Sequence, residues 1–199
     1  MGAEYFIDNF DNPDLWTTAI SNSASAILDR NRLTLASSSN SFLASLRSEP
    51  VLDNFYLEIT ARTSLCRDKD EYGLLFRLNG LTDFYRFALT CNGQEHVDRV
   101  RSGGFSYIQP LTPSGDAPPG APGEVKLGVW ALGAEMRFFL NDRYQFAVRD
   151  KVFRQGTLGV FVKPEVGNAM TVSFSNLVVY NVSYNSPTPL PVPSGTPEP

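Results

Sequence analysis

The sequence predicts an all-β protein: a two-sheet antiparallel β-sandwich of about 12–14 short strands with no long helix. Three observations carry this expectation. Apolar runs of strand length recur at intervals of roughly 8–12 residues with turn signals between them. Several of these runs alternate, so one face can enter a core while the other meets water or a ligand. No stretch keeps the helical apolar period for more than two turns. A chain of 199 residues suits one large all-β domain, residues 1–184, with a Pro-rich tail over residues 185–199.

Residues 4–7 open the first strand. The run Asp8-Asn9-Phe10-Asp11-Asn12-Pro13-Asp14-Leu15-Trp16 then sets turn-forming and carboxylate residues around aromatic rings. Two readings stand there. Asp8, Asp11 and Asp14 could supply a calcium site, since calcium takes carboxylate and carbonyl oxygens. Alternatively the run forms Asx turns with Trp16 packed under the sandwich rim. Residues 24–28 and 32–36 make a hairpin about Asp29-Arg30-Asn31, and residues 42–46 follow a serine-rich turn. Residues 52–64 alternate, with Phe55, Leu57, Ile59 and Ala61 on one face and Tyr56, Glu58, Thr60 and Arg62 on the other.

Residues 72–78 and 84–91 form a central hairpin through Asn79-Gly80, which supplies the positive φ of a tight turn. Residues 95–101 continue the sheet. Residues 102–123 hold five prolines and five glycines, so they are expected to be irregular, with one short edge strand over 105–108. Residues 124–131, 135–140 and 144–148 read as a meander. Residues 157–162 and 170–182 close the domain. The tail carries six prolines and no aromatic residue, the composition of an extended tether.

Cys66 and Cys91 are the two cysteines. If residues 55–65, 72–78 and 84–91 form one meander, these cysteines end strands two spacings apart, roughly 10 Å. A bridge needs Cα atoms within about 7 Å. It would therefore require the loop Arg67-Asp68-Lys69-Asp70 to reach over, and the alternative is two buried thiols. A disulfide implies an oxidising compartment.

A net charge of −4 with scattered basic residues argues against a nucleic-acid groove. No apolar run approaches the ~20 residues of a membrane-spanning helix, so membrane contact is expected only by tethering. Met1-Gly2-Ala3 leads straight into the first strand, so an export signal is not expected within these residues, though Met1-Gly2-Ala3 could stand in place of a removed one.

Several pieces, in order, resemble a known family. They are Tyr72-Gly73-Leu74-Leu75-Phe76-Arg77, Phe84-Tyr85-Arg86-Phe87, Asn92-Gly93-Gln94, Phe138-Phe139-Leu140-Asn141-Asp142, Gly156-Thr157-Leu158-Gly159-Val160-Phe161, and Val172-Ser173-Phe174-Ser175-Asn176-Leu177-Val178-Val179. With the opening Phe10-Asp11-Asn12 and Trp16, they resemble bacterial concanavalin A-like lectin/glucanase domains, which share their general fold with 3-keto-disaccharide hydrolase domains. The resemblance spans residues 6–182. It implies a jelly roll of two antiparallel sheets, found often in extracellular sugar-binding modules and glycosidases. Asp142 stands where the family's hairpin has glycine. Asn176 stands where its closing strand has aspartate, which weakens any metal site drawing on that side chain.

Retaining β-glucanases of this fold carry several acids on one strand, about 5 Å apart. This chain has no such set. Glu71 and Glu58 each stand alone on a strand, while Asp68, Asp70 and Asp83 fall in turns and are expected to be solvated. His96 reads as an exposed strand residue. Strand parity instead points to binding. If Tyr85, Phe87 and Leu89 are core, Arg77, Phe84 and Arg86 face outward. If Val129 and Phe138 are core, Lys126, Trp130, Arg137 and Phe139 face outward. Rings stack on pyranose C–H faces, and guanidinium groups donate planar pairs of hydrogen bonds. The candidate ligand residues are therefore Arg77, Phe84, Arg86, Trp130, Arg137 and Phe139. The expected protein is a monomeric, non-catalytic extracellular or cell-surface module that binds carbohydrate or a cell-envelope component, without a cofactor unless calcium binds. The alternatives are a glycoside hydrolase-like enzyme with unassigned acids and a protein-binding sensory or structural ectodomain.

Overall fold

The computed structural model describes residues 2–38 and 41–183; the expected tail, residues 185–199, lies outside the described residues. Fifteen strands are present among the described residues. In chain order they begin with β1 (Glu4–Asp8), β2 (Ala19–Ile20), β3 (Ala24–Leu28), β4 (Leu33–Ser38) and β5 (Leu43–Leu46). The middle set is β6 (Phe55–Leu65), β7 (Glu71–Leu78), β8 (Phe84–Thr90), β9 (Gln94–Arg101) and β10 (Gly104–Pro113). The last are β11 (Gly123–Leu132), β12 (Glu135–Leu140), β13 (Arg143–Arg149), β14 (Thr157–Lys163) and β15 (Ala169–Asn181). Among the described residues the helical content is one 3-10 turn, Pro13–Leu15, capped by the Asn12 side chain.

The strands divide into two antiparallel sheets. The larger runs β13-β12-β11-β6-β15-β4-β3-β2, with β1 also on β15. The smaller runs β10-β9-β8-β7-β14-β5. The core lies between them. Leu57, Ile59, Val129, Phe138 and Phe174 from the large sheet meet Leu74, Phe76, Phe87, Val97 and Val160 from the small one. Phe138 sits 4.8 Å from Phe87 and 6.0 Å from Phe76, centroid to centroid. Each such ring, fully removed from water, contributes roughly 1.5–3 kcal/mol.

The alternation read along residues 52–64 holds: Phe55, Leu57, Ile59 and Ala61 are all buried. The meander containing them does not form. β6 belongs to the large sheet and β7 to the small one, so residues 66–70 cross from sheet to sheet. That crossing brings Cys66 and Cys91 within 5.6 Å, Cα to Cα, as a disulfide joining the ends of the two sheets. Two further expectations are corrected. β10 is a full edge strand rather than a short one, with register shifts at Gln109 and Thr112 that accommodate Pro110. Arg77 does not face outward. Its φ of 47° lies at a bulge where Thr157 opposes Leu78 but Leu158 opposes Phe76. The turned side chain is fully buried, and its Nη1 and Nη2 donate to the carbonyls of Phe153 and Asp53, both at 3.1 Å.

Candidate functional site

The outer face of the small sheet carries ionisable groups that strand alternation brings into line. Leu75, Arg86, Asp98 and Tyr107 share one rung across β7, β8, β9 and β10. Phe161, Gly73, Ala88 and His96 share the next. Lys163, Glu71 and Thr90 share the third. The middle rung is bare between Phe161 and His96 because its central residues are glycine and alanine. A Cβ at Gly73 would stand 2.1 Å from the Phe87 carbonyl oxygen, so the backbone itself requires glycine there. Glu71 and Arg86, from the rungs on either side, meet across this gap: Arg86 Nη1 lies 3.4 Å from Glu71 Oε2.

Arg86 is also paired along its own rung. Its Nε and Nη2 donate to Asp98 Oδ2 at 3.0 and 2.7 Å. Its guanidinium carbon lies 5.4 Å from the Phe161 ring centroid. His96 is fully buried, with Nδ1 3.3 Å from Asp98 Oδ2 and Nε2 3.8 Å from Glu71 Oε2. Neither His96 nitrogen nor Glu71 Oε2 makes a well-formed hydrogen bond. The edge strand adds the Tyr107 ring, edge-on to His96 at 5.4 Å. Lys163 Nζ completes the set 3.3 Å from Glu71 Oε1.

Burial alone would push the Glu71 carboxyl up. The nearby His96, Arg86 and Lys163 outweigh it and hold the group at about 2. For His96, burial disfavours the cation, but Asp98 and Glu71 overcome it and raise the imidazole above its ordinary value. Glu71 is thus a fixed carboxylate among cations, with one oxygen short of a hydrogen-bond donor.

A cleft of about 440 Å³ opens beside Glu71, between Lys69, Gln94, Leu111, Lys163 and Val166. Its rim is fastened by Asp70. That carboxylate, expected to be solvated, is fully buried and accepts from the backbone N–H of Arg67 (2.9 Å), the backbone N–H of Glu165 (2.8 Å) and Asn168 Nδ2 (2.9 Å). Exposed rings flank the same face: Phe42 stacks on Phe161 at 5.4 Å, and Phe105 packs edge-on against Tyr107 at 5.7 Å.

The six candidate ligand residues do not share one face. Phe84 and Arg86 lie on the outer side of the small sheet, where Phe84 packs with Leu75, Ala88, Val100 and Phe161. Trp130, Arg137 and Phe139 lie on the outer side of the large sheet, on the far side of the core. Arg77 is interior. The residues that sequence reasoning missed are Glu71, His96, Asp98, Tyr107 and Lys163. His96 was expected to be exposed and is instead buried between two carboxylates. The signal was available in principle: His96 and Asp98, two apart, share parity with Arg86 once β8 and β9 are paired.

Asp8 turns inward. Its Oδ1 accepts from the Phe10 backbone N–H at 2.8 Å, and its Oδ2 accepts from Trp16 Nε1 at 3.0 Å and Arg47 Nε at 2.7 Å. Asp11 and Asp14 are exposed. Among the described residues, no group of three or more histidine, cysteine, aspartate or glutamate side chains is placed to hold a metal ion.

The fold is a concanavalin A-like jelly roll, and solved structures share it. No family model matches the sequence, and no curated protein does. Among solved structures the chain is similar to the carbohydrate binding module CBM66 from Bacillus subtilis, with a TM-score of 0.66 and 18% identity over 84% of this chain and 96% of that one. It is similar to the catalytic domain of an endo-1,3-beta-glucanase (laminarinase) from Thermotoga petrophila RKU-1, with a TM-score of 0.61 and 9% identity over 91% and 98% of the two chains. A Bacillus subtilis protein of unknown function with a galectin-like fold gives a TM-score of 0.62 and 11% identity over 90% and 96%.

Proposed function

We propose that this chain is a non-catalytic carbohydrate-binding module, and that its sugar sits in the cleft beside Glu71 and Lys163 on the outer face of the small sheet, with Arg86 and His96 fixing the Glu71 carboxylate from beneath. One observation carries the reading: the largely buried Glu71, whose carboxylate is held ionised by the cations around it, borders an open cleft that also carries Lys69 and Lys163. Sugar hydroxyls donate to a carboxylate and accept from arginine and lysine, so one pyranose can meet both signs of charge. The similarity to a carbohydrate-binding module supports the same class. The Cys66–Cys91 bridge suits an oxidising extracellular location, with a cell-envelope glycan as the partner.

The protonation states support a non-catalytic role. Glycoside hydrolysis commonly needs one carboxyl kept protonated as general acid beside a carboxylate. Glu71 is driven the opposite way. The carboxyl that is raised, Glu95 at about 7, stands next to His96 in β9 and so points to the inner side of the sheet.

The test is a glycan array followed by calorimetric titration of any hit into the wild type, Glu71→Gln and Lys163→Met, with folding checked by circular dichroism. Binding weakened about tenfold or more in both variants is expected, the loss of one charge-assisted hydrogen bond each. Full affinity in both, or no glycan bound by the wild type, overturns the assignment.

A further inference from the structure

The outer side of the large sheet holds a separate feature, at the end formed by the β11–β12 turn. Trp130 there shares a rung with Tyr56 and Arg137. The Arg137 guanidinium lies 4.5 Å from the centroid of the Trp130 ring, and its Nε and Nη2 reach Glu135 Oε1 at 2.8 and 2.7 Å. Arg149 from β13 reaches the other Glu135 oxygen at 3.4 Å. These side chains line a cleft of about 460 Å³. A second cleft of about 470 Å³ adjoins it through Ala134 and Arg149, and is lined further by Arg99, Asp150 and Lys151.

Across the two clefts, four cations face two carboxylates, in a chain whose net charge is −4. Both carboxylates are already engaged. Glu135 holds Arg137 and Arg149, while Asp150 takes Arg99, the Tyr85 hydroxyl at 2.6 Å and the Val152 backbone N–H at 2.8 Å. Lys151 is exposed and has no ion pair among the described residues, and the buried Nε of Arg99 has no acceptor. The unpaired Lys151 and the surplus positive charge, beside the apolar edges of Trp130, Leu132 and Val152, call for an anion carried on a partly apolar body.

We propose that these joined clefts bind a carboxylate-bearing saccharide, a uronate residue of an acidic glycan, independently of the Glu71 site. Arginine matches a carboxylate with two parallel N–H donors, and the indole edge meets the C–H surface of the ring. That the ligand is a sugar rests on the module reading above; that it is anionic and sits here rests on the charge and geometry of this end of the sheet. With the two sites on opposite faces, one module could engage two chains of a glycan mesh, and occupancy of both would raise avidity without new contacts.

The test uses trigalacturonate and the neutral trisaccharide maltotriose, followed by calorimetry and by tryptophan emission. Trp16 is buried in the core, so a change in emission reports Trp130. Saturable binding of trigalacturonate with an emission change is expected, with no such emission change on maltotriose. The variant Arg149→Ala, Lys151→Ala, both on the surface, should weaken trigalacturonate binding about tenfold or more, and Glu71→Gln should leave it unchanged. The proposal is overturned by no response to trigalacturonate, by an equal Trp130 response to maltotriose, or by wild-type affinity in the double variant. A neutral glycan that binds through Glu71 while trigalacturonate fails would sink this site and leave the first one standing.

Discussion

Glu71 links the candidate site to the stability of the fold, and its replacement by glutamine gives a quantitative test. Its carboxyl moves from an ordinary 4.5 to about 2 on folding. At 1.36 kcal/mol per pH unit, the ionised group favours the folded state by about 3 kcal/mol near neutrality. The folded pKa is depressed, so the native state binds fewer protons than the unfolded state between these values. The contribution is therefore complete above the unfolded pKa and is lost as pH falls through the folded one. By pH ~3, about 2 kcal/mol of it should be gone. Urea unfolding of the wild type and Glu71→Gln at several pH values from ~3 to ~7 measures this directly. The gap between the two should be about 3 kcal/mol near pH 7 and about 1 kcal/mol near pH 3. A gap that stays constant within about 0.5 kcal/mol across this range would refute the claim that His96, Arg86 and Lys163 hold Glu71 ionised.

Glu95 should act in the opposite sense. Burial and the nearby Asp116 raise its carboxyl to about 7, so stability should fall as pH rises from the unfolded value through the folded one. After allowance for partial screening, Glu95→Gln should gain about 2 kcal/mol over the wild type at pH ~8 and nothing at pH ~3, read from urea midpoints. Reducing the Cys66–Cys91 bridge, which closes a separation of 25 residues, should cost about 3 kcal/mol in the same assay; an unchanged midpoint would deny the link between sheets any role in stability. Arg77→Met should cost about 2–3 kcal/mol, because the two charge-assisted hydrogen bonds from its guanidinium to the carbonyls of Asp53 and Phe153 are lost, and a neutral effect would contradict the bulge geometry. Calcium, added and then chelated, should leave the melting temperature unchanged, since Asp8 already accepts three hydrogen bonds; a rise abolished by Asp8→Asn would restore the metal reading.

Much of the fold was legible because a strand records burial at every second residue. The alternation in residues 52–64, the β7–β8 hairpin about Asn79-Gly80, and β3 and β12 at their stated bounds all follow from side-chain period and turn chemistry. The candidate site was legible only in part. Arg86 was identified by parity and lies at its centre, but the partners it needs come from β7, β9, β10 and β14. Parity names the face of a strand without naming its sheet, so Trp130, Arg137 and Phe139 were grouped with Arg86 although the core separates them. It also fails at a bulge, where one residue of positive φ reverses the alternation, as at Arg77.

Composition and period by themselves determined an all-β sandwich, most of its strands and the inward face of a regular strand such as β6, because these depend on neighbours in the chain. Only the tertiary structure decided that residues 66–70 cross between sheets, that Cys66 meets Cys91, and that His96 lies buried between Glu71 and Asp98. Those depend on pairing between distant strands. Desolvation of a charge is likewise set by what packs around it in space, which no local pattern encodes.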